Sequence, residues 1–270
     1  MKKITPKDTD QFDDFVHKET TTFEELTVFD RNQLAPISID NKWGLIDQNG
    51  HVVIPFDYQK LVLTTVNAYS AQKDDLWGFI TKTNQTLIPF EYEVTSDFIE
   101  NICAVKKAGK WGFIDLLNQE IIPFEYDGCT DFRAGLAGVE RAGKWGMITK
   151  ENKLVIDFQY EYLTPVDHNF ATFGEATTMK IERPDVLVYF PYFLSKEHYL
   201  MNFGLISLQN ERILNAVSEL PILESFENQP VVRQNYQLGY LRDGKEFVKF
   251  EQFTIDPYEE KILKQIGVMK

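Results

Sequence analysis

The sequence predicts an all-β repeat array of antiparallel three-stranded units, with short helices at the N- and C-termini. Its four tryptophans stand at 43, 77, 111 and 145, so the interval between neighbours is constant, and a glycine follows each. After each Trp-Gly pair comes a turn signal of Asn or Gly, and then an apolar segment. Fixed periods of this length are typical of solenoids and propellers. Because a propeller blade usually has four strands in roughly 40 residues, an open solenoid-like array is favoured, with a closed propeller as the alternative.

Each repeat reads as two hairpins in series. A short strand such as 136–139 precedes a turn, and the Trp-Gly strand follows it. The next turn carries residues that tolerate positive φ, as tight hairpins require. In the first three repeats the third strand closes with Ile-Pro-Phe, and the fourth has Asp157 in place of the proline. The proline is expected to end the strand because it lacks an N–H. A tyrosine stands two residues after each phenylalanine: Tyr58, Tyr92, Tyr126 and Tyr160.

Helical signals appear at both ends of the chain. At the N-terminus Thr5 can cap a helix over 5–18 and Pro6 suits its first position. At the C-terminus Asp256 and Pro257 start a second pattern that Gly267 closes. The predicted organisation is therefore an N-terminal cap at 1–30, four intact repeats at 31–166, an insertion plus two degenerate repeats at 167–253, and a C-terminal helix at 254–270.

The repeat period breaks after the fourth unit. A strict period would place the next pair at 179–180, whereas the next candidate pair is Phe203-Gly204, so an insertion separates it from Trp145-Gly146. A further candidate is Leu238-Gly239. Both pairs are interpreted as decayed copies, since terminal units of repeat arrays are commonly atypical.

The tryptophans are predicted to lie in the core. Neighbouring strand residues point to opposite faces, so glycine beside tryptophan leaves room for another backbone or ring to approach. The alternative is a row of exposed stacking platforms for sugars or bases. The eight structural positions are Trp43, Gly44, Trp77, Gly78, Trp111, Gly112, Trp145 and Gly146.

The segment Gly-Lys-Trp-Gly-Phe-Ile-Asp at 109–115, with Ile-Pro-Phe-Glu-Tyr at 122–126, resembles the bacterial WG repeat family. The resemblance covers 31–166 well and 191–253 only weakly. It implies a tandem all-β array used for interaction. The family has no shared catalytic residue, so the resemblance assigns no catalytic role to any position.

Nothing in the sequence forms a catalytic or metal-binding constellation. The histidines are scattered without metal-ligand spacing, and phosphate-loop and nucleophile motifs are missing. Asp57, Glu91 and Glu125 recur beside each Pro-Phe; they are expected to cap local turns, with a cation-binding ladder as the alternative. We therefore expect no enzyme, no cofactor and no metal.

The net charge of −13 points away from nucleic acid. It is expected to reflect a solvated surface, with attraction of a basic protein partner as the alternative. Cys103 and Cys129 are read as buried thiols in a reducing compartment, because secreted disulfide frameworks use more cysteines. No apolar stretch is long enough to span a membrane and no signal peptide is visible. These features predict a cytoplasmic protein.

The insertion carries an aromatic run, Tyr189, Phe190, Tyr192 and Phe193, around a proline. One hypothesis makes it a partner-binding surface, because aromatic residues favour interface centres; the other makes it a buried, rebuilt strand. The function expected is a non-enzymatic protein-binding scaffold. An immunity or antitoxin protein neutralising a toxin, and a glycan or cell-wall ligand module, are the alternatives.

Overall fold

The protein is known from a computed structural model, which describes residues 3–10, 28–180, 199–219, 222, 225–226, 229–234, 237–243 and 245–250. The chain divides into two compact units, residues 1–125 and 126–270. Both units are built from antiparallel meanders, in which strands that follow one another along the chain pair side by side.

The first unit contains three sheets. Sheet 1 has three strands: β1 (Leu34–Ile39), β2 (Lys42–Asp47) and β3 (Val52–Tyr58). Sheet 2 has four: β4 (Lys60–Leu63), β5 (Tyr69–Lys73), β6 (Leu76–Ile80) and β7 (Thr86–Tyr92). Sheet 3 also has four: β8 (Val94–Ile99), β9 (Ile102–Lys107), β10 (Lys110–Asp115) and β11 (Glu120–Tyr126).

The second unit contains three four-stranded sheets. Sheet 4 consists of β12 (Gly128–Cys129), β13 (Leu136–Arg141), β14 (Lys144–Thr149) and β15 (Leu154–Tyr160). Sheet 5 consists of β16 (Tyr162–Pro165), β17 (Phe170–Lys180), β18 (Tyr199–Ser207) and β19 (Arg212–Ser218). Sheet 6 consists of β20 (Ser225–Phe226), β21 (Gln229–Gln234), β22 (Gln237–Arg242) and β23 (Glu246–Lys249).

The all-β antiparallel prediction is confirmed, but the three-stranded unit is wrong for every sheet except the first. Sheets 2 to 6 each gain a strand that precedes the two predicted hairpins. In sheet 2 this strand is Lys60–Leu63, and in sheet 4 it is only Gly128–Cys129. Such short segments cannot display the alternation of apolar and polar residues by which a strand is recognised.

The proline of the Ile-Pro-Phe segment lies inside its strand and does not end it, contrary to the prediction. Pro55 is the fourth of seven residues in β3, and Pro89 and Pro123 occupy the same place in β7 and β11. All three strands are edge strands. A proline is tolerated there because its missing N–H would face no neighbouring strand.

The N-terminal residues pack on sheet 1. The only helix among the described residues is a 3₁₀ helix at Pro6–Asp8, with Pro6 at its start as predicted. The Thr5 backbone N–H and hydroxyl both donate to the Asp8 carboxylate, at 2.9 and 2.7 Å. Ile4 packs against the outer core cluster of sheet 1. The helix ends at Asp8, because Thr9 is extended, so the prediction of a continuous helix over 5–18 is wrong at this point. Residues 11–18 of that prediction and the whole C-terminal helix lie outside the described residues.

Within each unit the hydrophobic core lies between consecutive sheets. Leu45 and Ile54 of sheet 1 share a cluster with Leu61 and Tyr69 of sheet 2. Sheets 2 and 3 share another cluster, as do sheets 4 and 5, and sheets 5 and 6. A sheet therefore buries a face against its successor, which explains why the repeat is needed for stability.

The decayed copy at Phe203-Gly204 keeps the strand geometry of an intact repeat. In sheet 1 Trp43 lies opposite Tyr58, and irregularities follow that shift the register towards the turn. In sheet 5 Phe203 lies opposite Ser218 with the same sequence of shifts. The extra residues of this repeat fall at the β17–β18 hairpin, whose strands are the longest in the described structure.

Candidate interaction surface

The four tryptophans are half-buried, so the prediction that they lie fully in the core is wrong. Trp43, Trp77 and Trp145 each pack against a core cluster without being enclosed by it. Each tryptophan is the second residue of its strand, directly after an exposed hairpin tip. One side of the indole therefore covers the core and the other side remains in contact with solvent.

The glycine after each tryptophan admits the backbone of the next strand, as predicted. A Cβ atom on Gly44 would lie 2.6 Å from the Ile54 carbonyl oxygen, and one on Gly112 would lie 2.8 Å from that of Ile122. Gly78, Gly146, Gly204 and Gly239 are equally crowded by a backbone oxygen. Because real Cβ atoms do not approach this closely, the glycine is fixed by the register of the hairpin.

A tyrosine–asparagine hydrogen bond joins consecutive sheets, and the sequence analysis did not predict it. The Tyr58 hydroxyl donates to Asn84 Oδ1 at 2.6 Å, and that of Tyr92 donates to Asn118 Oδ1 at 2.7 Å. The second unit begins at Tyr126, the last residue of β11, and within it the same bonds join Tyr126 to Asn152 and Tyr160 to Asn210. The signal was present in the sequence, since the first three pairs share a separation of 26 residues.

These asparagines also shape the turns that hold them. Asn84, Asn118 and Asn152 have φ of 64°, 61° and 59°, which confirms the predicted tolerance of positive φ. The single side chain therefore serves two purposes: it stabilises the hairpin turn and accepts the tyrosine hydroxyl of the preceding sheet.

The tyrosine rings also pack against the phenylalanine of the following Ile-Pro-Phe segment. Tyr58 stacks on Phe90 with ring centroids 6.0 Å apart, and Tyr92 stacks on Phe124 at 6.2 Å. Burial, followed by the charge of neighbouring Glu91, raises the pKa of Tyr92 to about 12. The hydroxyl is therefore neutral at neutral pH and available as a donor.

Glu91 does not cap a local turn, contrary to the interpretation of the repeated acids. Its carboxylate accepts a hydrogen bond from Lys107 Nζ at 2.7 Å and from Asn118 Nδ2 at 3.2 Å. The bond from Lys107, the largest cause, together with that from Asn118, holds the pKa of Glu91 below its usual value despite some desolvation. This acid therefore links sheet 2 to the β10–β11 turn of sheet 3.

The last strand of each sheet in the first unit, β3, β7 or β11, presents a repeated outward face, which we call the outer stripe. It consists of alternate residues that point away from the core, and each strand contributes an aliphatic residue, a proline and an acid. The aliphatic side chains are Val53, Leu87 and Ile121, which are 37%, 51% and 37% exposed. The complete stripe is Val53, Pro55, Asp57, Leu87, Pro89, Glu91, Ile121, Pro123 and Glu125. All of these are exposed except Glu91, which is partly buried and paired with Lys107.

The aromatic run proposed as a partner surface, Tyr189, Phe190, Tyr192 and Phe193, lies outside the described residues. Cys103 is buried and Cys129 is partly buried, and neither is in a disulfide. Among the described residues no group of three or more His, Cys, Asp or Glu side chains is placed to hold a metal ion. In the same part of the chain, no helix has the length and apolar character needed to cross a bilayer.

Solved structures with a detectable likeness share little sequence with this chain. A eukaryotic initiation factor structure has 9% identity and a TM-score of 0.47 and covers 80% of the chain, which spans 62% of that structure. BamB from Moraxella catarrhalis has 10% identity and a TM-score of 0.43, with 83% and 69% coverage. The Neurospora crassa Pan2 WD40 domain has 11% identity and a TM-score of 0.39, with 79% and 74% coverage.

None of the curated proteins compared with the chain matches it. The family model described as WG containing repeat matches at residues 43–62, 77–111, 111–145 and 145–173. These matches begin at the four tryptophans, each followed by the crowded glycine described above. Residues 43–173 therefore contain four matches to the WG repeat model, in agreement with the resemblance seen in the sequence.

Proposed function

We propose that this chain is a non-enzymatic scaffold that binds a protein partner through its repeats. The observation that carries the proposal is the outer stripe, where an exposed aliphatic residue and an exposed proline recur on three successive edge strands, each followed by an acid. Exposed apolar surface that recurs in this way is typical of interaction sites. Repeat arrays commonly use such extended surfaces for binding.

The stripe favours contact by side chains over the addition of a strand. Pro55, Pro89 and Pro123 stand in the middle of the edge strands and remove one backbone donor from each. A partner strand cannot form a continuous ladder with such an edge. The exposed aliphatic side chains therefore supply the contact, and the exposed acids Asp57 and Glu125 favour a basic partner.

Affinity capture from the native cell lysate, followed by mass spectrometry, tests this function. The native chain is compared with a variant in which Val53, Leu87 and Ile121 are all replaced by serine. A matched control replaces Val62 by serine, because Val62 is 53% exposed but lies on β4, outside the stripe. The proposal expects one partner to be retained by the native chain and the control, and lost from the stripe variant. Equal recovery by all three proteins contradicts it.

An immunity or antitoxin role is a narrower form of the same function. A net charge of −13 suits capture of a basic toxin by electrostatic attraction. In that case the captured partner is a basic protein whose toxicity to cells falls when this chain is co-expressed. A partner without toxicity excludes this narrower role. The cytoplasmic location stays a prediction.

Glycan binding is the second candidate, and the half-buried tryptophans favour it. Trp43, Trp77, Trp111 and Trp145 each expose part of an indole at a constant repeat position. An exposed indole face can stack on a sugar ring or a base. Titration with soluble cell-wall oligosaccharides, followed by tryptophan fluorescence, tests this candidate. A tryptophan fluorescence spectrum that stays constant at high sugar concentration excludes glycan binding.

The four-stranded sheets change the expectation for the arrangement of the array. The open array was favoured because three strands are too few for a propeller blade. Five of the sheets are four-stranded meanders, the strand number of propeller blades. We therefore propose that each four-stranded sheet corresponds to a propeller blade. Small-angle X-ray scattering tests this, because a radius of gyration well above that of a compact chain of equal length would favour the open array.

A further inference from the structure

The β10–β11 turn differs from its counterparts in one respect. Leu116 and Leu117 form its tip and are 44% and 75% exposed. The same two positions in the other intact repeats are polar: Gln48 and Asn49, Lys82 and Thr83, and Lys150 and Glu151. The chain therefore carries an exposed leucine pair in one repeat where its own other repeats carry none.

The leucines are not needed to form the turn. Asp115 Oδ1 accepts the backbone N–H groups of Leu117 and Gln119, both at 2.8 Å, and Asn118 supplies the residue with positive φ. The β2–β3 turn uses the same arrangement, with Asp47 accepting from Asn49 and His51. The backbone of the turn is thus fixed by its polar residues, and a requirement of folding does not explain the leucines.

The turn is also held firmly in place. Asn118 accepts the Tyr92 hydroxyl at 2.7 Å and donates to Glu91 at 3.2 Å, so the turn is tied to the preceding sheet. A rigid apolar tip loses little conformational entropy when a partner covers it. This makes the leucine pair a better anchor for binding than the same residues on a mobile loop.

Carboxylates flank the leucine pair on the same hairpin. Asp115 precedes it and exposed Glu120 follows it, and Ile121 adds a third aliphatic side chain that is 37% exposed. Apolar residues bordered by acids are complementary to a segment whose apolar residues are bordered by Lys or Arg. This charge pattern selects against an anionic membrane surface.

We propose that the β10–β11 turn is the anchor point for a basic amphipathic segment of a protein partner, with Leu116 and Leu117 covered by its apolar side chains. The proposal rests on the protein-binding function and names its partner class and central contact. The leucine pair provides the apolar contact, and the carboxylates of Asp115 and Glu120 favour a partner segment with positive charge.

The test uses the full chain and a short synthetic amphipathic helix made of leucine and lysine. The key variant is Leu116→Gln with Leu117→Asn, which reproduces the tip at Gln48 and Asn49 without changing the net charge. Its melting midpoint should equal that of the native protein, because the turn geometry does not depend on the leucines. Its affinity for the lysine peptide should fall by about tenfold or more, the effect of losing about 1.4 kcal/mol of contact.

Two controls complete the experiment. A peptide with glutamate in place of lysine should not bind the native chain. The variant Lys82→Leu with Thr83→Leu, which places a leucine pair on the β6–β7 turn, should increase binding. Equal affinity of the lysine peptide for the native chain and the key variant overturns the proposal, as does failure of the native chain to bind this peptide.

Sedimentation velocity separates a foreign partner from a second copy of this chain. If the native protein is a dimer and the key variant is a monomer, the leucine pair is a self-association contact and the proposed partner class is wrong. The protein-binding function is judged separately, by lysate capture with the stripe variant. If the stripe variant loses a partner that the native chain captures, while the native chain and the key variant bind the lysine peptide equally, the anchor is rejected and the function stands.

Discussion

The hydrogen bond between Tyr92 and Asn118 should contribute about 1 kcal/mol of coupling between sheets 2 and 3. The perturbation is a double-mutant cycle of Tyr92→Phe and Asn118→Gly. Tyr92 is only 3% exposed and its hydroxyl lies 2.7 Å from Asn118 Oδ1. A neutral hydrogen bond of this kind contributes roughly 0.5–1.5 kcal/mol net, and a partner left unsatisfied costs about 1–3 kcal/mol. We therefore expect Tyr92→Phe alone to lower the free energy of unfolding by about 1–2 kcal/mol.

Glycine is the appropriate replacement at position 118. The φ of Asn118 is 61°, which glycine adopts without strain, so the turn survives while the side chain is removed. The single variant also loses the 3.2 Å bond from Asn118 Nδ2 to Glu91. The cycle removes that contribution, because it appears in both arms that contain Asn118→Gly.

Urea unfolding, followed by circular dichroism and tryptophan fluorescence, measures the four free energies. The control cycle pairs Tyr58→Phe with Asn118→Gly, since the Tyr58 hydroxyl donates to Asn84 instead. These two changes should be additive within about 0.5 kcal/mol. If the Tyr92 cycle is also additive within that limit, the hydroxyl bond does not couple the sheets and the reasoning is refuted.

Three further outcomes are expected for the first unit. Trp111→Ala should cost about 2 kcal/mol in urea unfolding, below the roughly 3–5 kcal/mol of an enclosed aromatic residue, because the indole is half-buried. A loss of about 3 kcal/mol or more would show that it is enclosed. Gly112→Ala should lower the free energy of unfolding by at least about 2 kcal/mol, because the new Cβ would meet a carbonyl oxygen at 2.8 Å. Its control, Gly109→Ala, has φ of 77° and open space around it, so it should cost only about 1 kcal/mol. Equal losses in the two variants would contradict the crowding argument. Because the pKa of Tyr92 is raised to about 12, the unfolded chain loses the hydroxyl proton at lower pH than the folded chain. The free energy of unfolding should therefore fall as the pH rises from about 10 to about 12, and Tyr92→Phe should reduce that fall in alkaline melts. If the variant shows the same dependence on pH, Tyr92 is not the group responsible.

The sequence was sufficient to predict features that recur at a fixed spacing. The Trp-Gly strand, the positive φ of Asn84 and Asn118, and the crowding of Gly44 all follow from local rules for hairpins. The decayed pair at Phe203-Gly204 was recognisable for the same reason, because the register of the hairpin still requires the glycine.

Features that depend on how one sheet packs on the next were not predictable in the same way. The extra strand at Lys60–Leu63 is too short to show a period, and it is defined by pairing with β5. The half-exposure of Trp43 depends on its position at a strand end, which composition does not reveal. Local rules predict a turn cap for Glu91, because its partner Lys107 lies in another strand, beyond the reach of a local motif.

The tyrosine–asparagine bond has a consequence for where this protein can accept new sequence. Tyr160 and Asn210 are separated by 50 residues and not 26, yet they form the same contact as the other pairs. The additional residues enter at the β17–β18 hairpin, on the path between the two bonded residues, and the contact between the sheets survives. The corresponding hairpin tip at Ala108 and Gly109 is exposed, so a foreign peptide grafted there should be displayed while the scaffold around it keeps its register.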